Sequence, residues 1–256
     1  MSLTGGAREG RVGVLDRAVR ILDAVGEGHR TFTDIVGATG LPRPTAHRLL
    51  KALEGHGLLA SIDGRRYGPG PHLMRLAATA AKDQPLRAVA HPVLEQLAER
   101  IGESAQLYVR RGDVRVCVDA VEATSELRTI VPVGATLPLT AGSAGKLFLA
   151  WSTEEDRDRL LRSMPRLTAD TRGPDALRRE LAEIRRRGWA ASIGEREPGV
   201  ASVSAPVHGP DGALAAAISV SGPYRRRGRF RPRSHAAALV AAARGIEESL
   251  GAGPAA

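Results

Sequence analysis

A single cysteine, Cys117, excludes an intrachain disulfide framework and fits a reducing compartment. No apolar run approaches the length of a membrane span, and Met1–Gly10 is polar and glycine-rich with no apolar core of a signal peptide. These absences predict a disordered tail over residues 1–10 and a soluble, cytoplasmic protein. The seven histidines show no zinc-ligand spacing, and no Gly-x-Ser-x-Gly elbow presents a serine nucleophile. Gly142-Ser143-Ala144-Gly145-Lys146 imitates a phosphate loop but fails as one. Thr140 occupies the position of its first glycine, and Leu147 that of its magnesium-binding hydroxyl. Glu195 and Glu197, close together in a loop, are weak evidence of acid–base chemistry, and packing inside an alternating strand accounts for Cys117. The expectation is therefore no cofactor, no metal and no enzyme. Lysine is scarce too: only Lys51, Lys82 and Lys146 contribute to the 37 basic residues. The net charge of +9 suits a polyanionic partner. Part of it reflects the arginine bias of a GC-rich genome, and Arg225–Arg233 reads as either a solvated loop or a second phosphate-binding surface.

What is present is concentrated first in residues 31–61. Thr31 and Asp34 stand at capping-box spacing, with Asp in place of the usual Glu, and Gly40 ends that helix. Leu41-Pro42 opens another after a very short turn. There Ala46, Leu49, Leu50 and Leu53 recur at the period of one buried stripe. At about 100° per residue, Pro44, His47, Arg48 and Lys51 fall on the opposite face. A short helix with a cationic, hydrogen-bonding outer face fits the major groove of DNA; the plainer alternative is an αα-hairpin with a solvated basic face. Arg43, Thr45, His47, Arg48 and Lys51 are the candidate DNA contacts, with Arg48 foremost.

The following residues extend the motif. Leu58-Leu59 and Tyr67 flank Ile62-Asp63-Gly64-Arg65-Arg66, whose Asp-Gly pair is expected to supply the positive-φ positions of a tight turn. A wing results, from which Arg65 and Arg66 would reach a phosphate or the minor groove. Upstream, Val14, Leu15, Ala18, Ile21, Leu22 and Val25 predict a first helix backing the pair. The boundaries expected are a winged helix-turn-helix over 11–70, a linker helix over 71–84 (core His72–Ala81), and a second domain over 85–251.

In that second domain the periodicity predicts a helix ending at Ile101. Alternating strands follow, carrying Ala105, Leu107 and Val109, then Val114, Val116 and Val118. Helices at Ser143–Trp151, Glu154–Met164 and Pro174–Arg187 precede strands at Gly199–Val207 and Ala213–Ser221, and a last helix carries Leu239 to Leu250. This is an α+β domain with helices on an antiparallel sheet.

From Val12 to Leu250 the chain resembles the IclR family of bacterial transcription regulators. The resemblance rests on LPRPTAHRLLKALEGHGLL, PLTAGSAGKLFLAW and GVASVSAPVHGPDGALAAAISVSGP, in this order. It looks closest to the actinobacterial branch linked to amino-acid metabolism. The resemblance implies a GAF-like effector-binding domain, a homodimer or dimer of dimers, a double-stranded DNA operator and a small organic acid as effector. It places Gly142, Ser143 and Ala144 in the loop whose amides approach the effector, and Ser192, Ser202, Ser219 and Ser221 at further effector positions. Ser192 departs from the family's usual acid, and Ser202 from its frequent cysteine.

The last hairpin is expected to pair Val203 with Ile218, which puts apolar residues on one face and Ser202 opposite Ser219 on the other. Pro210 excludes a two-residue type I′ turn and favours a four-residue GPDG loop. Hydroxyls offer a carboxylate hydrogen bonds without burying a charge of their own. A small carboxylate, such as an amino acid or keto acid, is the expected ligand. Two readings compete with a regulator of amino-acid or carbon metabolism genes: a non-specific DNA-binding or dimerisation module, and a small-molecule hydrolase. Independently of function, the plainer reading of the serines is that they only satisfy buried strand geometry.

Overall fold

The computed structural model describes residues 13–82, 85–126, 128–224 and 230–251. They fall into two compact units, residues 1–83 and 84–256. The expected tail over residues 1–10, and Arg225–Arg229 of the arginine run, lie outside the described residues.

In the first unit α1 (Gly13–Gly26), α2 (Phe32–Thr39) and α3 (Arg43–Gly55) precede a hairpin of β1 (Leu59–Ser61) and β2 (Tyr67–Pro69), then α4 (Pro71–Lys82). The capping box forms: Thr31 Oγ1 accepts from the Asp34 amide at 3.2 Å, and the Asp34 carboxylate accepts from the Thr31 amide at 3.4 Å. Gly40 closes α2 at φ +63, a conformation that any side chain would strain. Ile21, Val25, Ile35, Ala46, Leu50, Leu53 and Leu59 form one core. Full burial of a side chain such as Leu50 contributes about 1.5–3 kcal/mol. Two expectations change here. Val14 and Leu15 are 62% and 60% exposed, because only the later turns of α1 meet the core. In the wing turn Gly64 alone has positive φ. Asp63 instead accepts the Arg65 and Arg66 amides on Oδ1 and the Arg66 Nε on Oδ2, so its carboxylate shapes the turn. A Thr31–Arg66 bridge and the Tyr67 amide on the Arg30 carbonyl tie the wing to the start of α2.

The second unit begins with α5 (Pro85–Ile101), β3 (Ser104–Arg111), β4 (Val114–Val121) and β5 (Thr136–Pro138). It continues through α6 (Ser143–Ala150), α7 (Glu154–Arg162), α8 (Pro174–Arg187), β6 (Ala190–Ile193), β7 (Val200–His208) and β8 (Leu214–Pro223). A 3-10 turn at Pro232–His235 leads into α9 (Ala236–Ser249). The six strands form one antiparallel sheet in the order β5-β4-β3-β8-β7-β6. Helices α5 and α9 pack on the face carrying Leu107, Val203, Ile218 and Val220. On the other face α6, α7 and α8 pack around Tyr108, Cys117 and Ala217.

Covering on both faces reverses one expectation. In β4 the alternating valines Val114, Val116 and Val118 are only half-buried, whereas Arg115, Cys117 and Asp119 are buried. Val118 is unpaired in a bulge between Leu107–Asp119 and Tyr108–Cys117, which turns Asp119 to the α5 face. The hairpin register also differs from expectation by two residues. Val203 pairs with Val220, Ser202 with Ser221 and Ser204 with Ser219. The loop explains this. The Gly212 amide closes a turn on the Gly209 carbonyl, Gly212 continues at φ +73, and a bulge beside His208 leaves Ala215 unpaired. Each irregularity adds a residue, and because the shift is even the apolar and serine faces are preserved. Strands β5 and β6, three and four residues long, carry too little alternation to be foreseen.

Candidate functional site

Two surfaces bring the candidate residues together, one in each unit. On α3, Ala46, Leu50 and Leu53 are buried while Arg43, Pro44, His47, Arg48 and Lys51 are exposed and Thr45 is half-buried. Phe32 at the start of α2 orders the first of these: the Arg43 guanidinium lies 4.9 Å from its ring centroid, and His47 meets the ring edge-on at 6.3 Å. Lys51 pairs with Glu54 at 3.2 Å, and Arg66 of the wing with Asp63 at 2.8 Å. Exposed pairs of this kind are weak enough to open toward a phosphate. Arg65 is exposed at the wing tip. The outer face of α3 is thus a cationic ridge on a rigid helix, with its hydrogen-bonding side chains turned to solvent.

The second surface is a pocket between the N-terminus of α6 and the serine face of β6, β7 and β8. Gly142, Ser143, Ala144, Ser192, Ser202, Ser219 and Ser221 all line it. The hydroxyls are linked. Ser143 Oγ lies 2.7 Å from both Ser202 Oγ and Ser204 Oγ, Ser204 donates to Ser219 Oγ at 3.0 Å, and Ser221 donates to Gln106 Oε1 at 3.1 Å. Ser202 is therefore joined to Ser219 through Ser143 and the fully buried Ser204, not by direct pairing across the strands. The Ser143 amide, first in α6, donates to Ser202 Oγ at 3.4 Å, a long bond that a carboxylate oxygen could better.

The sequence does not single out the lining residues Tyr108, Arg115, Val131, Arg196 and Val200, and it shows Glu197 only as one of two loop acids. Arg115 was hidden by the valines around it. An arginine that alternates with valines in a strand signals a charge on the opposite face, and here that face is covered. Burial pulls the Arg115 guanidinium down to about 10, and the charge of Arg196 adds to the effect. Its Nη1 donates to the carbonyls of Pro138 and Ala141, and its Cζ lies 5.4 Å from the Tyr108 ring centroid. The Tyr108 phenol is itself pushed up to about 12 by burial. Gly142, at φ +84, and Gly145 leave room for the guanidinium. A Cβ would stand 2.8 Å from Nη2 at the first and 2.5 Å from Nη1 at the second.

Lys146, the residue of the false phosphate loop, is fully buried on the side of α6 facing α8. Its Nζ donates to Glu180 and Glu195 at 2.8 Å each, and Arg172 reaches Glu180 at 2.9 Å. Glu195, weak evidence of acid–base chemistry in the sequence, is a structural anchor for the loop that presents Arg196 and Glu197. Among the described residues no cluster of His, Cys, Asp and Glu could hold a metal, and no helix is long and apolar enough to cross a membrane.

Each of the two units matches a known protein domain. Residues 14–62 match the IclR helix-turn-helix domain, and residues 78–248 match the C-terminal domain of bacterial IclR regulators. The chain is 35% identical to the HTH-type transcriptional regulator BhcR of Paracoccus denitrificans, over 98% of this chain and 91% of that one. It is 29% identical to the acetate operon repressor of Salmonella typhimurium, over 94% and 91%. A crystal structure of an IclR homolog from Microbacterium hydrocarbonoxydans, complexed with 4-hydroxybenzoate, superposes with a TM-score of 0.78 at 29% identity, covering 94% of this chain and all of that one. The chain belongs to the IclR family of bacterial transcriptional regulators, with a DNA-binding helix-turn-helix.

Proposed function

We propose that the protein binds a specific operator through the outer face of α3 and releases or engages it in response to a small carboxylate held in the serine-lined pocket. The observation that carries the reading is convergence. In one pocket the start of α6, the linked hydroxyls and a buried arginine all favour an anion. The genes controlled belong to amino-acid or carbon metabolism, a reading supported by the resemblance and by the relative named for the acetate operon. A cytoplasmic location follows from that role. The ligand must bind the DNA-competent and incompetent forms unequally, since equal affinity shifts nothing.

On DNA, Arg43, Thr45, His47, Arg48 and Lys51 address base edges and phosphates, and Arg65 and Arg66 hold the flanking backbone. Gel shifts with substituted proteins test this. Arg48→Ala is expected to leave the fold intact and cost about 1–3 kcal/mol in operator affinity if it reads a guanine. Leu50→Ala is expected instead to cost about 2–5 kcal/mol of stability. Operator affinity equal to wild type in folded Arg48→Ala removes Arg48 from the interface.

A further inference from the structure

Arg115 carries a positive charge into the interior, and among the described residues no acid receives it. The residue is 3% exposed, and its Nε is buried without a hydrogen-bond partner. The ionisable groups acting on it are Tyr108, Arg196 and Cys117, none of them a carboxylate. Among the described residues its acceptors are the two backbone carbonyls at Nη1. Buried charges are ordinarily paired, as Lys146 is with two glutamates one helical turn away. The close approach that Gly142 and Gly145 permit sets the guanidinium against the first turn of α6, the positive end of that helix. Two positive features at one point repel each other unless an anion joins them. The one carboxylate lining the pocket, Glu197, is 57% exposed and lies 3.3 Å from Arg196.

We infer that Arg115 is the charge-selecting residue of the pocket: it receives the ligand's carboxylate together with the α6 N-terminus, and rejects neutral analogues of the same shape. The inference rests on reading this pocket as the effector site and adds the residue that sets the ligand's charge. It also disfavours an amino acid, whose ammonium group would stand near two guanidinium groups.

Isothermal titration of the full chain with molecules of one skeleton tests it. The probes are lactate, lactamide and alanine, and 4-hydroxybenzoate with 4-hydroxybenzamide. Wild type is expected to bind an acid in preference to its amide and to alanine. Arg115→Gln is expected to lose about 10- to 100-fold in acid affinity while leaving amide binding unchanged. Arg115→Lys is expected to keep the preference at reduced affinity. Acid binding undiminished in folded Arg115→Gln overturns the inference and leaves the pocket as the ligand site. A wild type that binds acid and amide equally overturns it without any variant, which decides the matter should Arg115→Gln not fold. A wild type that binds none of the probes overturns the pocket reading and this inference together.

Discussion

Lys146 and Arg115 are both buried cations on or against α6, and they differ in their partners. Lys146 meets two carboxylates, so its charge is spent on joining α6 to α8 and to the loop after β6. Lys146→Met would leave Glu195, whose side chain is 5% exposed, without its closest cation, with Arg172 3.6 Å away as partial compensation. A loss of about 3 kcal/mol in urea unfolding is expected, and the double variant Lys146→Met/Glu195→Gln should recover much of it. A neutral Lys146→Met would show that the pair contributes nothing net. The sequence shows Lys146 only as part of a false phosphate loop, because its two acids lie 34 and 49 positions away. Arg115 escaped for a related reason: what makes it unusual is the lack of a partner in space, which no local pattern encodes.

At the scale of elements, the parts with strong local rules were legible. The capping box, the αL glycine after α2, and the 3.6-residue stripe of α3 are determined by a few neighbouring residues, and they form as read. The serine face of the last hairpin was legible because side chains alternate with period two. The pairing was not, because two irregularities near its loop each shift the register by one. The wing turn was misread in its mechanism: Asp63 works through its carboxylate. Hydrogen bonds from the Arg66 backbone and side chain, and from the Arg65 backbone, hold that carboxyl below its ordinary value. A folded pKa below the unfolded one means that the carboxylate's contribution is complete above the unfolded value and is lost as pH falls through the folded one. The Arg66 amide resonance should therefore titrate with a midpoint below that of an ordinary aspartate, about 3.9. A midpoint at or above that value would show that these bonds do not form in solution.

For the molecule as a whole, one α3 reads too few bases to pick a site from a genome, and the expectation is a homodimer, or a dimer of dimers, on a pseudo-palindrome. The first unit exposes apolar side chains suited to it. Val14, Leu15 and Val19 of α1 and Met74 and Leu76 of α4 are exposed apolar side chains, 45% to 63% open. Leu15→Glu combined with Met74→Glu should shift sedimentation at micromolar concentration toward the monomer and weaken operator binding. A dimer unaffected by both changes would place the interface elsewhere.

The central claim, a specific operator controlled by an acid in the serine pocket, is tested most directly by fluorescence anisotropy of the full chain. The DNA comes from the region upstream of its own gene, at about 0.15 M salt, with a bound acid present or absent. The account predicts binding at least about 10³-fold tighter than to scrambled DNA, over half-sites roughly 34 Å apart or a multiple of that. It also predicts that the acid changes operator affinity in wild type and fails to do so in Ser202→Ala/Ser221→Ala. Equal affinity for operator and scrambled DNA, falling steeply with salt and indifferent to the acid, would contradict it and leave a non-specific DNA-binding module.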